Sequence, residues 1–396
     1  MSAQTSLVWR QTIFQDGGTV IPTEEQTLIR DMARDFARDR LAPFSADWDR
    51  ESRFPKEAIA EMAELGFLGM LIPEDWGGAG ASYLAYSMAM EELAAGDGSV
   101  TTVIAVQMLV TNILHQRGST DQKETWLRPL AEGRKLSAFA LTEPHAGSDA
   151  SNLKTKAVKT DDGWTLNGSK QFITNGSHAD VIMVFAVTDP DRGHRGISAF
   201  LVPADTPGFE VARLEEKMGQ KASDATHLIF DDVKLPETAL VGKVGEGYRY
   251  ALENLEAGRI GIASQSIGMA RAAFEAARDY AKEREAFGKP IAEHQAVAFR
   301  LADMATQIEA ARQLTWHAAS IRDAGRRCIK EAAMAKLFAS EMAETVCTES
   351  IQTHGGYGYI RDYRVEQIFR DARICRIYEG TSDVQKMLIS REILRE

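Results

Sequence analysis

Cysteine is scarce in this chain of 396 residues: Cys328, Cys347 and Cys375 are well separated, odd in number and form no C-x-x-C pair. That excludes a disulfide framework and a zinc ribbon, and leaves buried free thiols in a reducing compartment as the expectation. The eight histidines include no H-E-x-x-H or other metal spacing, so no metal site is expected. There is no G-x-x-x-x-G-K-[ST], no strand-linked G-x-G-x-x-G and no G-x-S-x-G. Phosphate-loop chemistry, a Rossmann dinucleotide site and a serine nucleophile elbow are thereby unsupported. Positive charge is in deficit: Lys+Arg 46 against Asp+Glu 57 leaves a net −11. A nucleic-acid binder needs a basic face to replace phosphate counterions, so none is expected. The longest uninterrupted apolar run, Val181 to Val187, is far short of the ~20 residues that span a bilayer. Met1 to Arg10 lacks the basic and apolar regions of a signal peptide. These features predict a cytoplasmic protein with no membrane insertion.

What remains is an ordinary globular composition, 44% hydrophobic and 26% charged. At ~150 residues per domain the length suggests two to three domains. The texture changes twice. Residues 1–22 form a lead, and residues 23–136 read as helices broken by loops. Thr23 and Gln26 are placed as a capping box opening a helix towards Arg40, and Pro55 lies near the start of another. Ile72 to Gly78 must be a loop, with apolar helices resuming over Ala85 to Ala95 and Val100 to Arg117. Residues 137–244 read as a β domain. Gly163 to Leu166 and Lys170 to Thr174 are predicted to form a hairpin across Asn167-Gly168, followed by strands over Val181 to Val187, Ile197 to Val202, Phe209 to Leu214 and Thr226 to Phe230. Residues 245–396 read as a helical bundle, with apolar stripes through Leu252, Ile262 and Met269, through Met304, Ile308 and Ala311, and through Met334, Phe338 and Val346. The predicted fold class is mainly α with a central, barrel-like β domain between an N-terminal helical domain and a C-terminal four-helix bundle.

Chemistry-bearing residues gather in loops at the borders of the β domain. Leu141-Thr142-Glu143-Pro144-His145-Ala146-Gly147-Ser148-Asp149 could hold a polar heterocycle by hydroxyls and backbone N–H groups, or be a capped β-turn. Phe172-Ile173-Thr174-Asn175-Gly176 is equally open. Gln352 to Tyr359 contains Gly355-Gly356, which lets a backbone approach a ligand closely or serves an interhelix loop. In Ile377-Tyr378-Glu379-Gly380-Thr381 a single carboxylate has apolar neighbours. That setting suits a general base with a raised pKa, and a solvated helix cap fits the same letters.

In order and spacing, these segments together with Arg284-Glu285-Ala286-Phe287-Gly288 resemble the acyl-CoA dehydrogenase family of flavoproteins, from about Thr23 to the end. The resemblance implies an FAD cofactor between the β domain and the C-terminal bundle, and a homotetramer in which a neighbouring subunit completes each FAD site. By match to the motifs it implies flavin contacts from Phe139, Leu141, Thr142, Gly147, Ser148, Phe172 and Thr174, with Phe172 where many members carry Trp. It implies further FAD contacts from Arg284, Phe287, Gln295, Gln352, Gly355, Gly356, Thr381 and Asp383, and substrate contacts from Ser148, Glu256, Arg259 and Gly380. Glu379 matches the catalytic base that removes the pro-R α-proton of an acyl-CoA while the β-hydrogen passes as hydride to flavin N5. The electrons then go to an electron-transferring flavoprotein. Some relatives carry the base just before the Arg of Gly258-Arg259; here that position is glycine, so Glu379 has no competitor. Gly258 to Ala263 is most similar to members acting on short or short-branched acyl groups. Alternatives within the resemblance are an acyl-CoA oxidase or a desulfinase-type flavoenzyme. A non-catalytic scaffold of this fold is a third, against which the intact base and flavin motifs count.

Overall fold

The computed structural model describes residues 20–395, so residues 1–19 of the expected lead, including Met1 to Arg10, lie outside the described residues. The first helix, α1 (Glu24–Phe36), opens on the expected capping box: Thr23 Oγ1 accepts the Gln26 N–H while the Gln26 side chain accepts the Thr23 N–H. A π-turn then carries the chain to Leu41. A short helix not read from the sequence follows, α2 (Ser45–Glu51), and then α3 (Lys56–Glu64), with Pro55 just before its first residue. Helices α4 (Tyr83–Gly96) and α5 (Gly98–Arg117) are buried on nearly every side. α5 is the one described helix long and apolar enough to cross a membrane, but Val100, Val103, Ile104 and Val110 are fully enclosed by protein. Its apolar composition is that of a core helix.

The β domain holds an eight-stranded sheet in the order β6-β7-β3-β2-β4-β5-β8, with β1 pairing in parallel beside β4. Its main strands are β1 (Ser137–Ala140), β2 (Lys156–Thr160), β3 (Gly163–Ile173), β4 (Val181–Val187), β5 (Ile197–Pro203), β6 (Phe209–Leu214) and β7 (Thr226–Pro236), with β8 (Leu240–Val241) at the edge. β4 is apolar at every position because both its faces are covered. Val181, Met183 and Phe185 join the core shared with the helices, while Ile182, Val184 and Ala186 pack with Trp164, Phe200 and Phe230.

The expected hairpin across Asn167-Gly168 does not form. β3 runs unbroken through both residues, and the tight turn lies earlier, between Thr160 and Gly163. Asn167 instead exchanges two hydrogen bonds with Asp232 of β7, at 3.0 and 2.8 Å. Gly168 sits at a bulge with φ +149°, where a Cβ would stand 2.5 Å from Thr155 Oγ1. The glycine is required by close strand packing rather than by a reversal.

The C-terminal region is a bundle built around α6 (Gly247–Glu283), whose 37 residues extend about 55 Å. α7 (Gln295–Asp323) and α8 (Ile329–His354) pack along it, followed by α9 (Val365–Ala372) and α10 (Ser382–Ile393). The third expected stripe is displaced. α8 turns Ala332, Ala335, Ala339, Ala343 and Val346 inward, and Phe338 is exposed. Small side chains let α8 lie close against α6, so alanine rather than the bulky residues marks the buried face.

Candidate active site

A cavity of about 1320 Å³ lies where the three regions meet. One wall is the loop after β1 together with the end of β3, held side by side by the Gln171 N–H donating to Thr142 O at 2.9 Å. The opposite wall is α5, α6 and the segment 378–380. Of the residues singled out from the sequence, Phe139, Leu141, Thr142, Gly147, Ser148, Phe172, Thr174, Glu256, Arg259, Glu379 and Gly380 all line this one space.

Glu379 is delivered by a sharp reversal. After α9 a 3₁₀ turn covers Arg373–Arg376, then Glu379 and Gly380 adopt φ +54° and +89° before Thr381 caps α10. Two successive left-handed residues turn the chain back on itself, which glycine tolerates and glutamate resists at a cost of order 1–3 kcal/mol. The helix-cap role falls to Thr381, whose Oγ1 accepts the Val384 N–H, so Glu379 is free of it. Its Oε2 is buried without a hydrogen-bond partner. Burial pushes the carboxyl up to about 7, with the nearby Arg259 and Lys336 cations holding it from rising further. Such a group is a base at neutral pH and an acid just below it. The free enzyme's kcat/KM is therefore expected to be full above pH 7 and to fall as pH drops through about 7, tenfold per unit below it. A pH–rate profile whose acid limb lay near the ordinary carboxylate value, 4.5, would contradict this assignment.

The position before Arg259 faces this carboxylate. A Cβ at Gly258 would stand 2.7 Å from Glu379 Oε2 and 3.3 Å from Leu109 Cδ2. Gly258→Ala must therefore displace the carboxylate. A misplacement on this scale costs roughly 10–10²-fold in kcat. Wild-type turnover in that variant, with normal thermal stability, would show that Glu379 does not act from this place. Beside it Arg259 is almost fully buried, its Nε has no hydrogen-bond partner, and burial lowers its pKa against the raising influence of Glu379 and Glu256. Glu256 is engaged elsewhere: its Oε1 accepts the Cys328 N–H at 2.9 Å and lies 3.7 Å from Arg322.

The facing wall is built to meet a large polar-edged ligand. The hydroxyls of Thr142, Ser148 and Thr174 line the cavity, and none has a hydrogen-bond partner among the described residues. A Cβ at Gly147 would meet nothing within 4 Å, so space is open there. Phe172, at φ +59°, leaves 64% of its surface uncovered and lines the cavity with an open aromatic face. Beneath the loop lies a pair that sequence reasoning missed. Lys170 Nζ donates to Glu143 Oε1 at 2.8 Å and to Leu141 O at 3.0 Å, while Glu143 also accepts the N–H groups of Lys154 and Thr155. This pair staples β3 to the Thr142 loop.

The remaining singled-out residues lie elsewhere. Arg284, Gly355 and Gly356 line a second pocket of about 460 Å³ at the far ends of α6 and α8, among Tyr280, His354 and Tyr357. Phe287 stands 96% exposed on the turn between two short strands, Glu285–Ala286 (β9) and Lys289–Pro290 (β10). Gln295, Gln352 and Asp383 are exposed and line neither pocket, and Thr381 Oγ1 is engaged in its cap. Among the described residues no group of three His, Cys, Asp or Glu could hold a metal ion, and all three cysteines are free and buried.

A buried carboxyl poised near neutrality thus shares one cavity with unpartnered hydroxyls and an uncovered aromatic ring, an arrangement suited to proton transfer beside a large planar group. Comparison with known proteins then fixes the family. Sequence models of the acyl-CoA dehydrogenase N-terminal, middle and C-terminal domains match residues 23–134, 138–233 and 245–394. An acyl-CoA dehydrogenase of Bacillus subtilis is 48% identical over 94% of this chain and 98% of its own. Among solved structures, butyryl-CoA dehydrogenase from Megasphaera elsdenii superposes with a TM-score of 0.93 at 44% identity, covering 95% of this chain and all of that one. A chain in a structure described as the electron transferring flavoprotein of Acidaminococcus fermentans gives 0.93 at 45%, over 95% and 99%. The chain belongs to the acyl-CoA dehydrogenase family, and it is an FAD-dependent oxidoreductase.

Proposed function

We propose that the protein converts a short or short-branched acyl-CoA to the trans-2-enoyl-CoA, with Glu379 as the base, and passes the electrons to an electron-transferring flavoprotein. The observation that carries this reading is the unpartnered Glu379 carboxylate, held in the shared cavity with its pKa near 7. The α-proton of a thioester is only weakly acidic, so its removal needs a base and a donor at the carbonyl oxygen. The backbone N–H of Glu379 suits the second task, in the manner of an oxyanion hole. Leu109, Leu255 and Ile262 supply the apolar lining that a short acyl chain and a dry carboxylate both require. Arg249, Arg322, Arg327 and Arg391 line the same cavity and suit the phosphates of coenzyme A.

FAD, when bound, supplies the acceptor for the β-hydrogen. The unpartnered hydroxyls of Thr142, Ser148 and Thr174, the open space at Gly147 and the ring of Phe172 fit such a group, and with Phe139 and Leu141 they would hold it. Arg284, Phe287, Gln295, Gln352, Gly355 and Gly356 sit away from this cavity. We read them as completing the site of a neighbouring copy in a homotetramer, for which the exposed Phe287 ring is suited. The domain limits 23–136, 137–244 and 245–396 and a cytoplasmic location belong to the same reading, the latter supported by three free thiols.

The short-chain preference rests on the similarity to a butyryl-CoA dehydrogenase. It is tested by anaerobic titration of the purified yellow protein with straight and branched acyl-CoAs. Bleaching of the flavin band by one or two short members is expected. A flavoprotein that no acyl-CoA bleaches would sink the reading.

A further inference from the structure

Lys336 is 0% exposed and lies on the alanine face of α8, among Ala332, Ala335 and Ala339. A lysine ammonium placed there costs several kcal/mol unless it is well partnered, and a packing role would be met better by Met or Leu. Yet among the described residues no carboxylate lies within ion-pair distance of it. Its hydrogen bond runs from Nζ to Gly380 O, at 2.7 Å. The same carbonyl accepts from Gln385 Nε2 at 2.8 Å, and Gln385 Nε2 also reaches Glu379 O at 3.2 Å. Gln385 too is 0% exposed. A Cβ at Gly380 would stand 2.6 Å from that amide nitrogen, so the glycine makes room for the bond. Two donors occupy both lone pairs of one carbonyl, at the residue that follows the base.

We propose that Lys336 and Gln385 are positioning residues for Glu379: they clamp the Gly380 carbonyl from α8 and α10 and hold the Glu379–Gly380 turn in its left-handed form, with the carboxylate in the cavity. The inference rests on the reading of Glu379 as the base. Relaxing Glu379 to a negative φ would swing the Gly380 peptide and break these bonds, so the clamp holds the strain of that residue in place. Lys336 has a second effect through its charge. The groups that face it are Arg259 from α6, Cys375 and Arg376 from the turn after α9, and Glu379 itself. Burial brings the ammonium down to about 8, so it is charged at pH 7, and as a cation it favours the ionised form of Glu379. Gln385 is neutral and acts through the hydrogen bonds alone.

The two members are therefore separable. In FAD-loaded Lys336→Met, kcat is expected to fall at least about tenfold, as for other displaced catalytic groups, and the acid limb of kcat/KM to move to higher pH. Lys336→Arg restores the limb. Gln385→Leu lowers kcat and leaves the limb where it was. Infrared titration gives a readout independent of turnover: the protonated-carboxyl band that Glu379→Gln deletes should persist to higher pH in Lys336→Met. A Lys336→Met protein with reduced melting temperature but unaltered kcat, limb and band would reduce Lys336 to a structural residue and overturn the proposal. If Lys336→Met does not fold, Lys336→Gln removes the charge on a side chain one bond shorter than that reaching Gly380 O, and unaltered kcat, limb and band there would overturn it equally. Full turnover in Glu379→Gln would instead sink the catalytic reading itself, whatever the lysine variants do.

Discussion

Glu379→Gln is expected to lower kcat for acyl-CoA oxidation by about 10²–10⁴-fold, the contribution of a single positioned base. The amide keeps the size and a donor–acceptor pair but cannot take a proton near pH 7. The fall is expected in kcat more than in acyl-CoA affinity, because the lost interaction develops only in the transition state. Flavin content and melting temperature are expected to hold or rise, since removing a charge that burial disfavours relieves the fold of it. With the carboxyl's folded pKa near 7 against 4.5 when free, the folded state holds more protons in that window. Wild-type stability thus declines as pH rises from 4.5 through 7, and the amide variant should lack this decline. Stopped-flow bleaching under anaerobic conditions measures the rate, and a loss smaller than tenfold would show that another group takes the proton.

The second large effect concerns stability. Lys170→Met leaves Glu143 buried without its cation. Breaking a buried pair from one side typically costs about 3–5 kcal/mol. Lys170 is 0% exposed and Glu143 3%, so neither charge has water to fall back on. Glu143 is held below its ordinary pKa by Lys170 and by the N–H groups it accepts, while burial brings Lys170 down to about 8. The signs differ. Glu143 stabilises the fold above pH 4.5 and loses that contribution as pH falls. The depressed lysine makes stability rise with pH between about 8 and 10.5. Because Lys170 also holds Leu141 O, the variant should shed FAD as well as unfold at lower denaturant. Denaturation midpoints and flavin-to-protein ratios check both. Lys170→Met with Glu143→Gln should recover part of the loss, and strictly additive costs would mean the pair is not coupled.

How much of this was legible beforehand depended on whether the signal was local. The Thr23 capping box and the all-apolar β4 are carried by adjacent residues, and both stand as read. Asn167-Gly168 carried the letters of a turn, but its conformation is decided by Asp232 and Thr155, distant in sequence. The motif around Glu379 was visible through the family resemblance. Its supports were not, since Lys336, Gln385 and the Lys170–Glu143 pair act through contacts across 5 to 44 residues of sequence. One clue was available for Lys336: it interrupts the alanine stripe of α8 at i, i+3 and i+4 spacing, where a lone charge has no solvent.

The single helix α6 reaches both pockets, with Glu256 in the first and Tyr280 in the second, 24 residues and about 36 Å apart. A helix is a ruler marked in steps of 1.5 Å and about 100°. One residue inserted between these points would rotate one pocket's contributions by more than a quarter turn relative to the other's. The count of residues between Glu256 and Tyr280 is therefore a dimension of the enzyme.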